Sequence, residues 1–200
     1  MQFDPKDLDS SSLYKLITGT IIPRPIGWIS TIDQNGINNL APFSYFNIVG
    51  EKHIMFSTAK NKGNNKDTLN NILLNNEFVL NMVTEDVVEA MNMTSAELPA
   101  NEDEFIHAGL TPIDCKLIKP KRVKESKISF ECKRIHNFTM PHPENNGATM
   151  IVGEIVMMHF DDDVLLDNYK INMENYKPVS RLAGSNYSKI GEVFSIKRNS

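Results

Sequence analysis

The chain has 200 residues, 40% of them hydrophobic and 23% charged, with a formal net charge of −4 and a pI near 5.7. That supports one domain spanning 1–200 with a full apolar core and excludes a disordered chain. The mild acidity also argues against a nucleic-acid binder, because the one basic cluster, Lys116 to Lys127, is broken by Pro120 and has no interleaved aromatic residue.

Taken in chain order, Asp9 to Ser12 offers helix-capping chemistry ahead of Leu13, Tyr14, Leu16 and Ile17, which predicts a short helix ended by Gly19. Pro23 and Pro25 forbid a helix across them, and a strand follows from Ile26 to Ile32. Asn35-Gly36 supplies the positive φ angles of a hairpin turn. A second strand runs from Ile37 to Leu40, is interrupted at Pro42 and resumes over Phe43 to Val49; His53 to Thr58 is another.

The texture then turns helical. Asp67 can cap a helix carrying Leu69, Ile72 and Leu73, and Thr84 one carrying Val87, Val88 and Met91. Between these two helices, Glu77 to Val83 reads as a strand. Asn101 with Glu104 resembles a capping box before Phe105, closed by Gly109. Strands return over Lys127 to Phe138 and Ala148 to Phe160, and the last stretch from Tyr187 ends in strand-like VFSIK. Both faces of Ala148 to Phe160 are apolar, so burial on two sides is expected there, with a second subunit as one cover. Strands, helices and strands again exclude an alternating parallel sheet.

Side-chain chemistry is sparse. The five histidines form no metal-ligand cluster with one another or with Cys115 and Cys132. Two cysteines outside any CxxC pattern, a polar N-terminus and the lack of a long apolar run predict a soluble, cytoplasmic protein in a reducing compartment, with no membrane partner. No nucleophile signature is present, and Cys132 falls on the apolar face of its strand.

Three segments can face a ligand. Ser30-Thr31 and Asn39 to Ser44 place hydroxyls and a proline-broken strand together, which fits either a ligand wall or a plain edge strand. Ser57, Lys66 and Thr68 combine a cation and hydroxyls with helix N-terminal amides, as a phosphate cradle or as an ordinary capped helix. Arg181 sits among small residues, as an anion clamp or a surface ion-pair partner.

These pieces together resemble one family. Pro23-Arg24-Pro25-Ile26-Gly27-Trp28-Ile29-Ser30-Thr31, Asn39-Leu40-Ala41-Pro42-Phe43-Ser44-Tyr45-Phe46-Asn47, Lys66-Asp67-Thr68, Gly153-Glu154-Ile155-Val156 and Pro178-Val179-Ser180-Arg181-Leu182 are similar, in order and spacing, to the flavin reductase-like FMN-binding split-barrel proteins. The resemblance implies a mainly β fold with peripheral helices: a six-stranded antiparallel split barrel with Greek-key connections. It also implies a homodimer with FMN at or near the subunit interface. Ring contacts would come from Ser30, Thr31, Asn39, Ala41, Pro42, Phe43, Ser44 and Asn47. Phosphate contacts would come from Ser57, Lys66 and Thr68, with Arg181.

A flavin carries its own reactive atom, so the lack of catalytic side chains fits. The implied activity is an NAD(P)H-dependent flavin reductase passing hydride from NADH or NADPH to the flavin. The alternative is a flavoredoxin-like electron-transfer protein with tightly held FMN and a protein redox partner.

Overall fold

The computed structural model describes residues 1–60, 63–140 and 147–197. Helix α1 (Ser10–Thr20) begins where Asp9 caps it, its carboxylate accepting from Ser12 N at 3.0 Å. The chain then forms β1 (Arg24–Pro25), β2 (Gly27–Ile32), β3 (Asn38–Phe43), β4 (Phe46–Gly50) and β5 (His53–Ala59). Helix α2 (Asp67–Asn75), strand β6 (Glu77–Met82) and short helices α3 (Val88–Met93) and α4 (Glu104–His107) follow. A small pair, β7 (Pro112–Ile113) with β8 (Arg122–Val123), precedes the long hairpin β9 (Ile128–Met140) and β10 (Ala148–Phe160). The remainder is β11 (Leu165–Leu166), β12 (Lys170–Ile171), α5 (Met173–Tyr176), β13 (Val179–Arg181) and β14 (Tyr187–Lys189).

The main sheet is antiparallel in the order β3-β2-β6-β9-β10-β5-β4, and the barrel is not closed. It therefore has seven strands where six were expected. The run from Asn38 to Gly50 breaks at Ser44–Tyr45 rather than at Pro42. The two halves, β3 and β4, become opposite edges of one sheet. Pro42 stays inside β3. Leu40, two residues earlier, turns its amide away from β2 to Glu104 Oε2 (3.1 Å), so Pro42 faces the same open side. A missing N–H costs no ladder bond on an edge.

Two apolar cores lie on the two sides of β2. Ile29 packs with Phe43, Phe56, Ile72, Phe78 and Ile151, whereas Trp28 packs with Leu40, Val83, Met91 and Phe105 under α3 and α4. Burial on both faces thus belongs to the central strands β2 and β6. In β10, expected to be buried on two sides, only Thr149, Ile151 and Gly153 are buried. Its other face is half-covered. The expected C-terminal strand ends at Lys189, and Val193 and Phe194 are exposed. Of the polar stretch 136–147, expected as a loop, residues 136–140 belong to β9 and 141–146 lie outside the described residues. No helix among the described residues is long and apolar enough to cross a membrane.

Two local features fix the long hairpin. A Cβ on Gly153 would sit 2.4 Å from the Phe78 ring, so the bare glycine lets β10 lie over a fully buried phenylalanine. Glu131, with no exposed surface, accepts from Lys116 N (2.7 Å), Leu117 N (2.8 Å) and His159 Nε2 (2.7 Å). Burial pushes this carboxyl up, but the Lys116 amide, the imidazole and the Leu117 amide outweigh it and hold the group below the ordinary carboxylate value.

Gly153→Ala should destabilise the protein by about 1–3 kcal/mol through overpacking against Phe78, read as a lower thermal midpoint. For Glu131, stability from a depressed carboxyl is full above its ordinary value and lost as pH falls through the lowered one. The gap in urea midpoint between the wild type and Glu131→Gln should therefore be widest near neutral pH and close in acid.

Candidate functional site

One cleft gathers half of the residues singled out from sequence. It has a volume of about 450 Å³ and is bordered by Pro42, Phe43, Ser44, Ser57, Lys66 and Arg181. A second groove of about 250 Å³ shares Pro42 and Lys66 with it and adds Asn39, Ala41 and Thr68. The edge strand β3 separates the cleft from the core: Phe43 meets the Phe56 ring at 5.0 Å and also borders the open space.

Three expected residues are elsewhere. Ser30 is fully buried and its hydroxyl donates to Lys121 O at 2.5 Å. Thr31 is fully buried and donates to Asn39 Oδ1 at 3.2 Å. Asn47 is exposed on β4, where its side-chain oxygen accepts from Ile48 N at 2.8 Å.

Asn39 and Thr68 border the groove, but their polar atoms are occupied. Thr68 Oγ1 donates to Asn39 Oδ1 at 2.8 Å, Asn39 Nδ2 donates to Glu104 Oε1 at 3.0 Å, and Asn71 Nδ2 donates to Thr31 Oγ1 at 3.1 Å. This knot joins β2, β3, α2 and α4 beside the cleft. Burial raises the Glu104 carboxyl above its ordinary value, against the lowering hydrogen bonds from backbone and Asn39.

α4 is capped by Asp103, which accepts from Phe105 N at 2.8 Å, and not by Asn101. Glu104 is thereby free to reach β3. Likewise Lys66, not Asp67, occupies the N-cap position of α2 and makes no side-chain cap bond, leaving its ammonium 6.0 Å from the Phe43 ring centroid.

The cleft also contains residues the sequence reading did not select. Arg24 is 8% exposed and sends Nη1 to Thr18 O (2.8 Å) and Ile21 O (2.7 Å), and Nη2 to Leu182 O (2.9 Å). Tyr45 faces its guanidinium at 5.9 Å, and Arg181 lies 4.6 Å over Tyr187. Arg24 stands between two prolines in an otherwise apolar run, and Tyr14 lies one helical turn before Thr18; those were the available signals.

The electrostatic balance is one-sided. Arg24, Lys66 and Arg181 border the cleft, none forms an ion pair, and no acidic residue lines it, all among the described residues. Ile26, Phe43 and Met91 supply apolar surface beside those cations. Such a site suits a planar ligand carrying negative charge.

A model of the flavin reductase like domain matches residues 19–177. The chain belongs to the flavin reductase-like family. An uncharacterized protein of Aquifex aeolicus is 43% identical over 94% of this chain and 95% of its own length. Among solved structures, nitrilotriacetate monooxygenase component B from Bacillus cereus is similar at a TM-score of 0.94 and 36% identity, over 98% of each chain. The 2-nitrobenzoate 2-nitroreductase NbaA of Pseudomonas fluorescens is similar at 0.89 and 27%, covering 100% of this chain and 96% of its own.

Glu104→Ala would leave the Leu40 amide and the Asn39 amide group buried without an acceptor, costing about 1–3 kcal/mol. Denaturant unfolding should register that loss, and a ligand bound in the cleft should dissociate faster, because β3 loses its backing.

Proposed function

We propose that this protein is an FMN-binding flavin reductase that takes hydride from NADH or NADPH. The observation that carries the reading is a cleft with no acidic residue among the described residues, in which Arg24, Lys66 and Arg181 stand beside the apolar wall of Ile26, Phe43 and Met91. Family membership and the similarity to a monooxygenase component B and a nitroreductase support the same reading.

The residues present fit the cofactor. Pro42, Phe43 and Ser44 would border the ring, with β3 held rigid by Asn39 and Glu104 behind it. Ser57 and Lys66 would hold the phosphate, one as a hydroxyl donor and the other as a point charge. Thr68 acts through Asn39 by setting the N-terminal turn of α2, and Ser30 and Thr31 fix β2 from its two opposite faces, through Lys121 O and Asn39. When bound, FMN supplies the hydride-accepting atom, so no protein nucleophile or acid–base pair is required.

A homodimer is part of this proposal. Ile48 on β4 is 71% exposed and Phe138 on β9 is 55% exposed, beside the half-covered apolar face of β10. A second copy would cover them and close the open side of the sheet near Asn47, which would bring that residue toward a shared site.

Two measurements test the reading. Lys66→Ala with Ser57→Ala should weaken FMN by about a hundredfold, two charge-assisted contacts at roughly 1.4 kcal/mol each, while riboflavin affinity changes little; equal loss for both ligands would place the phosphate elsewhere. Anaerobic titration of the FMN-loaded protein with NADH and NADPH should bleach the flavin and name the donor. Bleaching by dithionite but by neither nucleotide would instead point to an electron-transfer protein reduced by a protein partner.

A further inference from the structure

Arg24 borders the cleft, but its donors are turned to the protein. Nη1 donates to Thr18 O and Ile21 O, Nη2 to Leu182 O, and Nε to Ser44 Oγ at 3.4 Å, which occupies four of the five donors of a guanidinium. The acceptors belong to three separate parts of the chain: the end of α1, the break between β3 and β4, and the turn after β13. Thr18, Ser44 and Leu182 all border the cleft themselves. Arg24 thus joins three of its walls at one buried point.

α1 depends on this joint the most. The last carbonyls of a helix lack partners within the helix and favour a cation beside them. α1 has no basic residue in its own last turn, so Arg24 fills that place from outside the helix. Thr18 is the one buried residue of α1, whereas Tyr14, Leu16 and Ile17 are exposed. No residue of α1 belongs to the two apolar cores on either side of β2. The matched domain begins at residue 19, so nearly all of the helix precedes it. Yet Tyr14, one turn before Thr18, borders the cleft, and it lies near enough to Tyr45 to add to the effect of burial in pushing that phenol up.

We propose that Arg24 is a positioning residue: through its fork of donors it seats α1 against the body of the protein, so that Tyr14 forms part of the cleft wall and slows release of the bound ligand. Its geometry carries this role, and its charge alone does not. The identity of the ligand as FMN rests on the flavin reading of the cleft; the seating of α1 does not.

Arg24→Lys separates the two contributions, because a lysine keeps the charge but offers its donors from a single point. The first measurement is amide hydrogen exchange of the ligand-free protein, followed by mass spectrometry. In Arg24→Lys and Arg24→Gln the amides of α1 should exchange at least about tenfold faster, while those of the β9–β10 hairpin keep the wild-type rate. The second is FMN release, read as the recovery of free-flavin fluorescence. Both variants should release FMN about tenfold faster, as expected for loss of a charge-assisted hydrogen bond. Tyr14→Ala should also speed release, with α1 exchange unchanged, because it removes the wall and leaves the joint.

Wild-type exchange and release in Arg24→Lys would mean that the charge acts alone, and overturns the proposal. Faster exchange in the hairpin as well as in α1 would mark a general loss of stability and overturns it too. So does faster α1 exchange with FMN release unchanged, which would leave α1 without a part in the cleft. A wild-type protein that takes up no FMN removes the flavin reading instead, and the exchange measurement then decides by itself whether Arg24 seats α1.

Discussion

Asn39 is the point on which the site depends. Its side-chain oxygen accepts from Thr31 and Thr68, its amide donates to Glu104, and Glu104 in turn takes the Leu40 amide. All of these groups are buried, so each bond is strengthened by its surroundings and each is costly to leave unmade. An edge strand is ordinarily free to fray. Here the knot fastens β3 to its neighbour β2 and to two helices, so that Pro42, Phe43 and Ser44 present a fixed wall.

A fixed wall matters because the protein offers little else to a reaction. Cys132 is a core thiol whose burial pushes it far above the ordinary value, and the Cys115 thiol is pushed up to about 12. Neither is a nucleophile under ordinary conditions. What the cleft supplies is shape and field: an apolar floor, three cations and no acid among the described residues. On the proposed reading the chemistry lies in a bound group and the geometry in the chain, which accounts for polar residues of the motif region being spent on positioning.

The break at Ser44–Tyr45 has the second large effect. It sends one half of an extended run to each edge of the sheet, leaves the barrel open and puts Tyr45 beside Arg24 and Ser57. It also leaves β4 with exposed Ile48 and Val49, an edge that a lone chain does not protect.

Much of this was legible from sequence, and the reasons are local. Asp9 as a cap, Gly36 in its turn and the strand from Gly27 follow from backbone preferences that need no neighbours. Pro42, Phe43, Ser44, Ser57, Lys66 and Arg181 were selected by residue type and order, and the fold brings them to one cleft. Ser30, Thr31 and Thr68 were chosen by the same signals but turn their hydroxyls inward, because which face of a strand or helix meets a ligand is set by what packs on the other. Arg24 went unselected for the converse reason: a lone arginine between prolines gains meaning only when α1 and β13, more than a hundred residues apart in the chain, converge on it. The sequence by itself determined the elements, the apolar pattern and the family. Only the tertiary structure decided the strand count, the buried knot and the uncompensated charge of the cleft, since these depend on contacts between segments that no local pattern encodes.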